Sequence, residues 1–331
     1  MKKHIITALF LILTVILFAG CGKSKADENG FFQEITPAME HASKNNKNIL
    51  VVVTMSGDDL FSKDFIEQVM MTDDFKKEVM SEYAVVHMDF SQTSYEKTIV
   101  NEDSSKEVQK ASEEYAELMQ RNSQLASMLN IQTTPSFVLM TKEKYYITAL
   151  DPMEDALDYK TFKEILDSKK SVVENINSMV ADIKKSSKMD KISAIDNLFE
   201  ATDVIYRTFL SELINEVVSI DKNNESGLLS KYLIAVADVK ASECYMTGDV
   251  NGAANAYLEV AENTNLLPEH QQQAYYLGAY IMAMSGSTEY DTILGYLNKS
   301  IAANPDSEDA AAIQGVLTYL SDAFASMPVA E

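Results

Sequence analysis

The residues best placed for chemistry are two adjacent carboxylates, Asp58 and Asp59, which follow the apolar run Ile49–Val53 through a short polar turn. Paired carboxylates are common general acids and bases. No histidine lies near them in the sequence, so catalysis by either aspartate has little support. An aspartate at the start of a helix accepts backbone N–H bonds and complements the helix dipole. We therefore predict that Asp59 caps a helix, and we assign no catalytic residue.

The histidines do not have the spacing of metal ligands or of a catalytic group; they are His4, His41, His87 and His270. His87 lies between Val86 and Met88 in a predicted strand, where a hydrogen-bonded structural histidine is more common than a metal ligand. No metal site and no cofactor are predicted.

The elements that would position Asp59 alternate between helix and strand. β-branched residues without alternation in Ile49–Val53 indicate a central strand that is buried on both faces. A helix is predicted from about Asp59, with Phe61, Phe65 and Val69 facing the core. The other predicted elements are helices from Phe31, from Thr72, over 106–129 and over 158–166, and strands at 83–90, 136–140 and 143–150.

Three separated segments then resemble exported bacterial thioredoxin-like domains, in the same order along the chain. They are "AMEHASKNNKNILVVVTMSGDD", "DLFSKDFIEQVMMTDDF" and "NSQLASMLNIQTTPSF". The resemblance implies an α/β thioredoxin-like domain, which we place at residues 31–170.

The same resemblance puts Asp59 and Ser62 at the two cysteine positions of the C-x-x-C motif. Thiol–disulfide exchange needs a thiolate nucleophile and a second thiol that resolves the mixed disulfide. A carboxylate cannot replace that nucleophile. The position that carries a buried acid in thioredoxins matches the apolar neighbourhood of Val52 here. A redox-inactive domain is therefore expected.

The resemblance also implies a peptide site. In the family, the proline that matches Pro135 is cis, and the backbone of the residue before it pairs with an extended substrate peptide. We therefore hypothesise a binding groove; its residues are Gly57, Asp58, Phe61, Thr134 and Pro135. In the alternative interpretation, Pro135 only shapes the entry to an interior strand.

After about Ser171 the strand pattern ends, and apolar residues recur at helical spacing. The segment "GDVNGAANAYLEV" resembles the second half of a tetratricopeptide repeat, and a second unit follows with Gly286 in the place of Gly248. An all-α, tetratricopeptide-like domain is predicted for 171–331. Cys244 is predicted to be a buried small hydrophobe rather than a reactive thiol. Whether Tyr275, Tyr276 and Tyr280 form core or groove rim is left open.

The residue pattern at the N-terminus predicts that the protein is exported. Lys2 and Lys3 precede an apolar run over 5–19, so residues 1–20 indicate a signal peptide. The small residues before Cys21 resemble a bacterial lipobox, which implies that lipid attaches to this cysteine and that residues 21–30 form a tether. The alternative is an ordinary signal peptide with an incidental cysteine. With Cys21 lipidated, Cys244 is the single remaining thiol and no intramolecular disulfide can form.

The charge composition of the chain makes one class of partner, nucleic acid, unfavourable. With 28 basic and 50 acidic side chains the net charge is −22, which repels nucleic acid. We expect a lipoprotein on a bacterial membrane, facing the periplasm or the surface, that binds envelope proteins or peptides as a scaffold or chaperone. One alternative is a thiol–disulfide oxidoreductase-family protein with a degenerate active site. Another is a structural surface lipoprotein without a specific ligand.

Overall fold

A computed structural model describes residues 26–101, 103–150 and 158–326. The signal peptide and the lipidation site at Cys21 therefore lie outside the described residues. Within the described ranges, no helix is both long and apolar enough to cross a membrane. The chain divides into two compact units: the first unit comprises residues up to 123, 132–144 and 149–168, and the second comprises 124–131, 145–148 and the chain from 169 onward.

Four strands form one sheet, in the order β2-β1-β3-β4. Its strands are β1 (Asn48–Thr54), β2 (Tyr83–Asp89), β3 (Ser136–Met140) and β4 (Tyr146–Leu150). β1 runs parallel to β2 and antiparallel to β3, so Val51 lies opposite Val86 on one side and Val138 on the other. Residues 49–53 are almost completely buried, which confirms the predicted central strand.

In the described part of the chain up to residue 168, six helices and two π-helical turns accompany the sheet. The helices are α1 (Ile35–Asn45), α2 (Leu60–Phe65), α3 (Met80–Glu82), α4 (Gln92–Glu96), α5 (Lys106–Met128) and α6 (Tyr159–Ser168). One π-helical turn, Ile66–Met70, follows α2, and a second, Phe75–Val79, leads into α3.

Packed phenylalanines fix α2 against β3. The ring of Phe65 on α2 lies 4.5 Å from Phe137 on β3 and 5.2 Å from Phe162 on α6, measured between centroids. Phe75 completes the group at 5.8 Å from Phe162. Each buried phenylalanine contributes about 1.5–3 kcal/mol of transfer free energy. This cluster sets the position of the start of α2 relative to the segment that enters β3.

Two sequence predictions in this unit were wrong. The first helix begins at Ile35 rather than Phe31, because Phe32 exchanges backbone hydrogen bonds with β2 beside Val86. Phe61 was expected to face the core, but 49% of its surface is exposed. Helical spacing alone does not tell the first turn of a helix, which projects beyond the core, from the turns that follow.

The second unit is helical. Its helices are α7 (Lys170–Lys185), α8 (Lys188–Ala201), a 3-10 segment (Val204–Leu210), α9 (Ser211–Ile220), α10 (Leu229–Met246), α11 (Val250–Ala261), α12 (Pro268–Met284), α13 (Tyr290–Ala303) and α14 (Glu308–Ala325). Gly248 and Gly286 adopt φ values of 76° and 75° in the turns after α10 and α12. The left-handed region favours glycine, so the two turns are equivalent.

Small residues let the helices of this unit approach closely. A Cβ atom on Gly278 of α12 would lie 2.5 Å from a methyl carbon of Leu258 on α11, so only glycine fits without a shift. Ala253 on α11 is fully buried. The sequence did not decide which tyrosines of this unit are core residues. In the structure Tyr275 is buried, whereas Tyr280 is exposed.

Candidate functional site

The start of α2 is organised by Asp59. Its Oδ1 accepts from the Phe61 amide at 3.1 Å, and its Oδ2 accepts from the Ser62 amide at 3.0 Å. The backbone of Asp59 is extended, as an N-cap residue requires. The predicted capping role of Asp59 is confirmed.

The two positions that match C-x-x-C are joined through their side-chain oxygens. Ser62 Oγ donates to Asp59 Oδ2 at 2.6 Å and accepts from the Met55 amide at 3.1 Å. Ser62 is fully buried, whereas Asp59 is half-buried. The pair therefore consists of a covered hydroxyl below a partly accessible carboxylate, and neither atom can perform thiol exchange.

The segment that enters β3 lies beside this pair. Thr134 Oγ1 donates to Asp59 Oδ2 at 3.3 Å, and the Thr134–Pro135 peptide bond is cis. Among the described residues, neither the main-chain amide nor the carbonyl of Thr134 has a hydrogen-bond partner. Asp59, Ser62, Thr134 and Pro135 are thus brought together, and a strand-like donor and acceptor remain at Thr134.

The other groove residues lie in the turn before α2 and in the first turn of α2. Gly57 has a φ of 88°, and an added Cβ would meet no atom within 4 Å. Asp58 is exposed, and its Oδ2 accepts from the Gln92 amide at 2.5 Å, which ties the turn to the start of α4. Leu60 and Phe61 are exposed beside these residues, at 68% and 49% of their surfaces. Apolar side chains therefore border the strand-like edge.

Burial and hydrogen bonding act in opposite directions on the Asp59 carboxyl. Burial raises its pKa, but the hydrogen bonds from Ser62, the Phe61 amide and Thr134 outweigh burial and hold the pKa below its ordinary value. Asp59 is therefore ionised at neutral pH and has no proton to donate as a general acid.

Asp89, which the sequence reasoning missed, supports the turn from beneath. Its Oδ1 accepts from Thr54 Oγ1 at 3.0 Å and the Ser56 amide at 2.7 Å. Its Oδ2 accepts from three hydroxyls, those of Ser56 at 2.5 Å, Ser91 at 2.7 Å and Ser94 at 3.1 Å. A carboxylate at a strand end, followed by two serines that can reach back, is the sequence signal that could have found it.

These bonds also determine the charge of Asp89. Burial raises its pKa, but the hydrogen bonds from Ser56, Ser91 and Thr54 reverse that effect and hold the pKa below its ordinary value. The ionised carboxylate joins the ends of β1 and β2 to the turn before α2.

His87 is a structural histidine, as expected. Its Nε2 and Thr54 Oγ1 share a hydrogen bond at 2.9 Å. Burial lowers the pKa of His87, partly opposed by the negative charges of Asp89 and Asp27. Among the described residues, no cluster of three or more histidine, cysteine or acidic side chains could hold a metal ion.

Cys244 is only half-buried, whereas burial was expected, and it packs against the core of α10 and α11. Burial raises the pKa of its thiol, and the nearby carboxylates of Asp249 and Glu243 raise it further, against a smaller lowering by Lys240. The thiolate that would act as a nucleophile is therefore disfavoured at neutral pH.

We expect native Cys244 to react with a small maleimide at least about tenfold more slowly at pH 7 than an exposed thiol does. The rate should rise with pH and increase further in denaturant, because each change supplies thiolate or access. Quenched labelling, read by mass spectrometry of the peptide that contains Cys244, measures this rate. The exposed-thiol reference is Val108→Cys in a Cys244→Ala background, since Val108 is exposed. Equal native rates at the two sites would show that Cys244 is available for chemistry.

Comparisons with known proteins agree with this architecture. Residues 35–148 match a family described as "Thioredoxin-like domain", and residues 228–328 match one described as "Uncharacterised protein C-terminal domain". An uncharacterized protein of Treponema pallidum (strain Nichols) is 27% identical over 138 residues, which cover 42% of this chain. The matched region spans only 46% of that relative's length.

A solved structure described as "DsbH Oxidoreductase" also resembles part of the chain. It is 18% identical, with a TM-score of 0.32, and the match covers 44% of this chain and 88% of that one.

The predicted fold class is confirmed. A thioredoxin-like α/β domain with a four-stranded sheet is followed by an all-helical region whose helices lie between residues 170 and 325. The finer tetratricopeptide-like description stays a prediction.

Proposed function

We propose that the thioredoxin-like domain binds extended peptide segments without thiol chemistry, as a scaffold or holding chaperone for envelope proteins. The observation that carries the proposal is the oxygen pair: Ser62 Oγ donates to Asp59 Oδ2 at 2.6 Å where exchange would need two sulfur atoms. The unpartnered main chain of Thr134, beside the exposed Leu60 and Phe61, supports binding of an added strand.

The backbone groups and side chains at this edge indicate which kind of peptide segment would bind. An extended peptide would exchange backbone hydrogen bonds with Thr134, which gives affinity with little dependence on sequence. Leu60 and Phe61 would contact the alternate side chains that point toward α2. Apolar residues at every second position of the bound segment are therefore favoured.

The proposed location is a bacterial membrane surface, to which a lipid on Cys21 would tether the chain. Its support is the sequence pattern of residues 1–21. Several acyl chains, at about 0.8 kcal/mol per buried methylene, would hold such a protein stably.

The alternative function is that of a thiol–disulfide oxidoreductase-family protein with a degenerate site. It is supported by the class of the domain but opposed by the side chains, because Cys244 is the only free thiol in the described part of the chain. Reduction of insulin disulfides by the purified protein, abolished in Cys244→Ala, would favour this alternative.

Replacing Phe61 with photoreactive benzoylphenylalanine is expected to crosslink the full-length protein to reduced, carboxamidomethylated α-lactalbumin, an unfolded chain without free thiols. The crosslinked segment should carry alternating apolar residues, because Phe61 borders the strand-like edge. The matched control carries the probe at Tyr319, which is 72% exposed in the second unit and should crosslink only at background level.

Backbone pairing is tested directly with the segment recovered by mass spectrometry. A synthetic copy should compete for crosslinking, and a copy methylated on alternate backbone nitrogens should compete at least about tenfold less well, since it has lost its donors. Equal competition by the two copies, or equal crosslinking from positions 61 and 319, would overturn the proposal.

A further inference from the structure

The last helices of the second unit carry an unusually one-sided charge. Residues 238–326 contain twelve carboxylate side chains but only two lysines. Both lysines are already paired, Lys240 with Glu259 at 2.6 Å and Lys299 with Glu262 at 2.9 Å. The remaining carboxylates give this region a strongly negative field, which attracts cations and repels anions.

Exposed apolar side chains lie in the last turns of two helices within this region. Tyr245 and Met246 end α10, and Tyr280 and Met284 end α12; all four are exposed, and Met284 is exposed over 70% of its surface. We call these four residues the tyrosine–methionine patch. Large apolar side chains that cluster on a surface indicate an interaction site more strongly than single ones do.

The repeat geometry places the two halves of the patch in register. Met246 and Met284 each lie two residues before an equivalent glycine turn, at Gly248 and Gly286. α10 and α12 are in direct contact, and both halves of the patch lie in the last turns of these two helices. The contact between α10 and α12 therefore brings the two halves of the patch to the same end of neighbouring helices.

Carboxylates border this surface at the same ends of the helices. Glu243 lies one turn before the end of α10, Asp249 caps α11, and Glu289 occupies the N-cap position of α13 without a side-chain cap bond. Among the described residues, none of the three forms an ion pair with a lysine or arginine. The patch is therefore apolar at its centre and negative at its rim.

We propose that the tyrosine–methionine patch docks a cationic amphipathic helix of a partner protein. Methionine side chains are flexible and polarizable, so they adapt to varied apolar faces, and tyrosine adds large contact area at low entropic cost. A basic polar face on the same helix would meet the unpaired carboxylates of the rim. A second copy of this acidic chain, a nucleic acid or an anionic membrane would be repelled by the same field. This inference does not depend on the peptide edge at Thr134.

The probe is a synthetic peptide in which leucine and lysine follow the spacing of an amphipathic helix. It should bind the full chain, and binding should weaken as salt is raised. The double variant Tyr280→Ser/Met284→Ser should weaken binding at least about tenfold, because two central apolar contacts are lost. The matched control, Val172→Ser/Leu267→Ser, removes two exposed apolar side chains away from the patch and should bind as the native chain does.

Two further peptides separate amphipathic docking from charge attraction alone. A scrambled peptide of the same composition and a peptide with glutamate in place of lysine should both bind at least about tenfold more weakly than the probe. Equal binding of the scrambled peptide, or equal affinity of the patch variant and the control variant, would overturn the proposal. Self-association in sedimentation that disappears in the patch variant would do so as well, since a second copy would then be the occupant.

Discussion

Replacement of Asp89 with alanine is expected to lower the free energy of unfolding of the first unit by about 3 kcal/mol. The carboxylate accepts five hydrogen bonds, from Thr54, from Ser56 twice, and from Ser91 and Ser94. Alanine would leave these partly buried donors without their acceptor, and such donors cost more than an absent interaction does. Hydrogen exchange of peptides covering β2 and α4 localises the effect.

The matched control for this variant is Asp103→Ala, which removes the same charge from an exposed position in the same unit. It should change stability by less than about 0.5 kcal/mol. Asp89→Asn keeps the side-chain shape but offers only one acceptor oxygen, so an intermediate loss is expected. Equal exchange protection in Asp89→Ala and the native chain would contradict the supporting role of Asp89.

The same carboxylate makes stability depend on pH. Because the pKa of Asp89 is lower in the folded chain than in the unfolded chain, its stabilisation is complete above the ordinary aspartate pKa. It is lost as the pH falls through the folded value. The difference in stability between the native chain and Asp89→Ala should therefore shrink below about pH 4.

The double variant Asp59→Cys/Ser62→Cys, made in a Cys244→Ala background, is expected to form an intramolecular disulfide and to gain insulin reductase activity with dithiothreitol. The two native side-chain oxygens touch at 2.6 Å, and side chains three residues apart on a helix face each other within disulfide reach. A thiol at the start of a helix also has a lowered pKa. Intact mass and the turbidity of precipitating insulin chains report the two outcomes.

The single variants Asp59→Cys and Ser62→Cys, in the same background, are the controls and should show no activity above that of dithiothreitol alone. The loss of the Asp59 cap lowers stability by about 0.5–2 kcal/mol, and the new disulfide partly offsets this loss. A double variant that folds but keeps both thiols reduced in air would show that the oxygen pair does not preserve disulfide geometry.

The central part of the fold was predictable because its residues carry strong local signals. The apolar run at residues 49–53 is short and mostly β-branched, which favours a buried strand. Asp59 is a residue type that favours the N-cap of the helix that follows. The alternation of elements and three short matching segments then gave the α/β domain.

What escaped prediction depends on contacts between distant residues. In the sequence, Asp89 is one of fifty acidic residues. Its supporting role depends on the fold, which brings the end of β2 beside Ser56 in the turn after β1. The sequence pattern predicts a helix at Phe32, but Phe32 instead forms backbone hydrogen bonds with β2. The exposure of Phe61 depends on where the phenylalanine cluster fixes α2. Apart from the bonds that Ser91 and Ser94 donate to Asp89, none of these contacts lies within a window of a few residues.

The oxygen pair between Asp59 and Ser62 has one more consequence, which concerns regulation. A dithiol exists in two covalent forms, and the supply of electrons in its compartment selects between them. A carboxylate and a hydroxyl have only one form under the same conditions, so the entrance to α2 keeps its shape whether its surroundings are oxidising or reducing. The peptide edge proposed at Thr134 would therefore be available in both environments, and its occupancy would depend on the concentration and affinity of its partners.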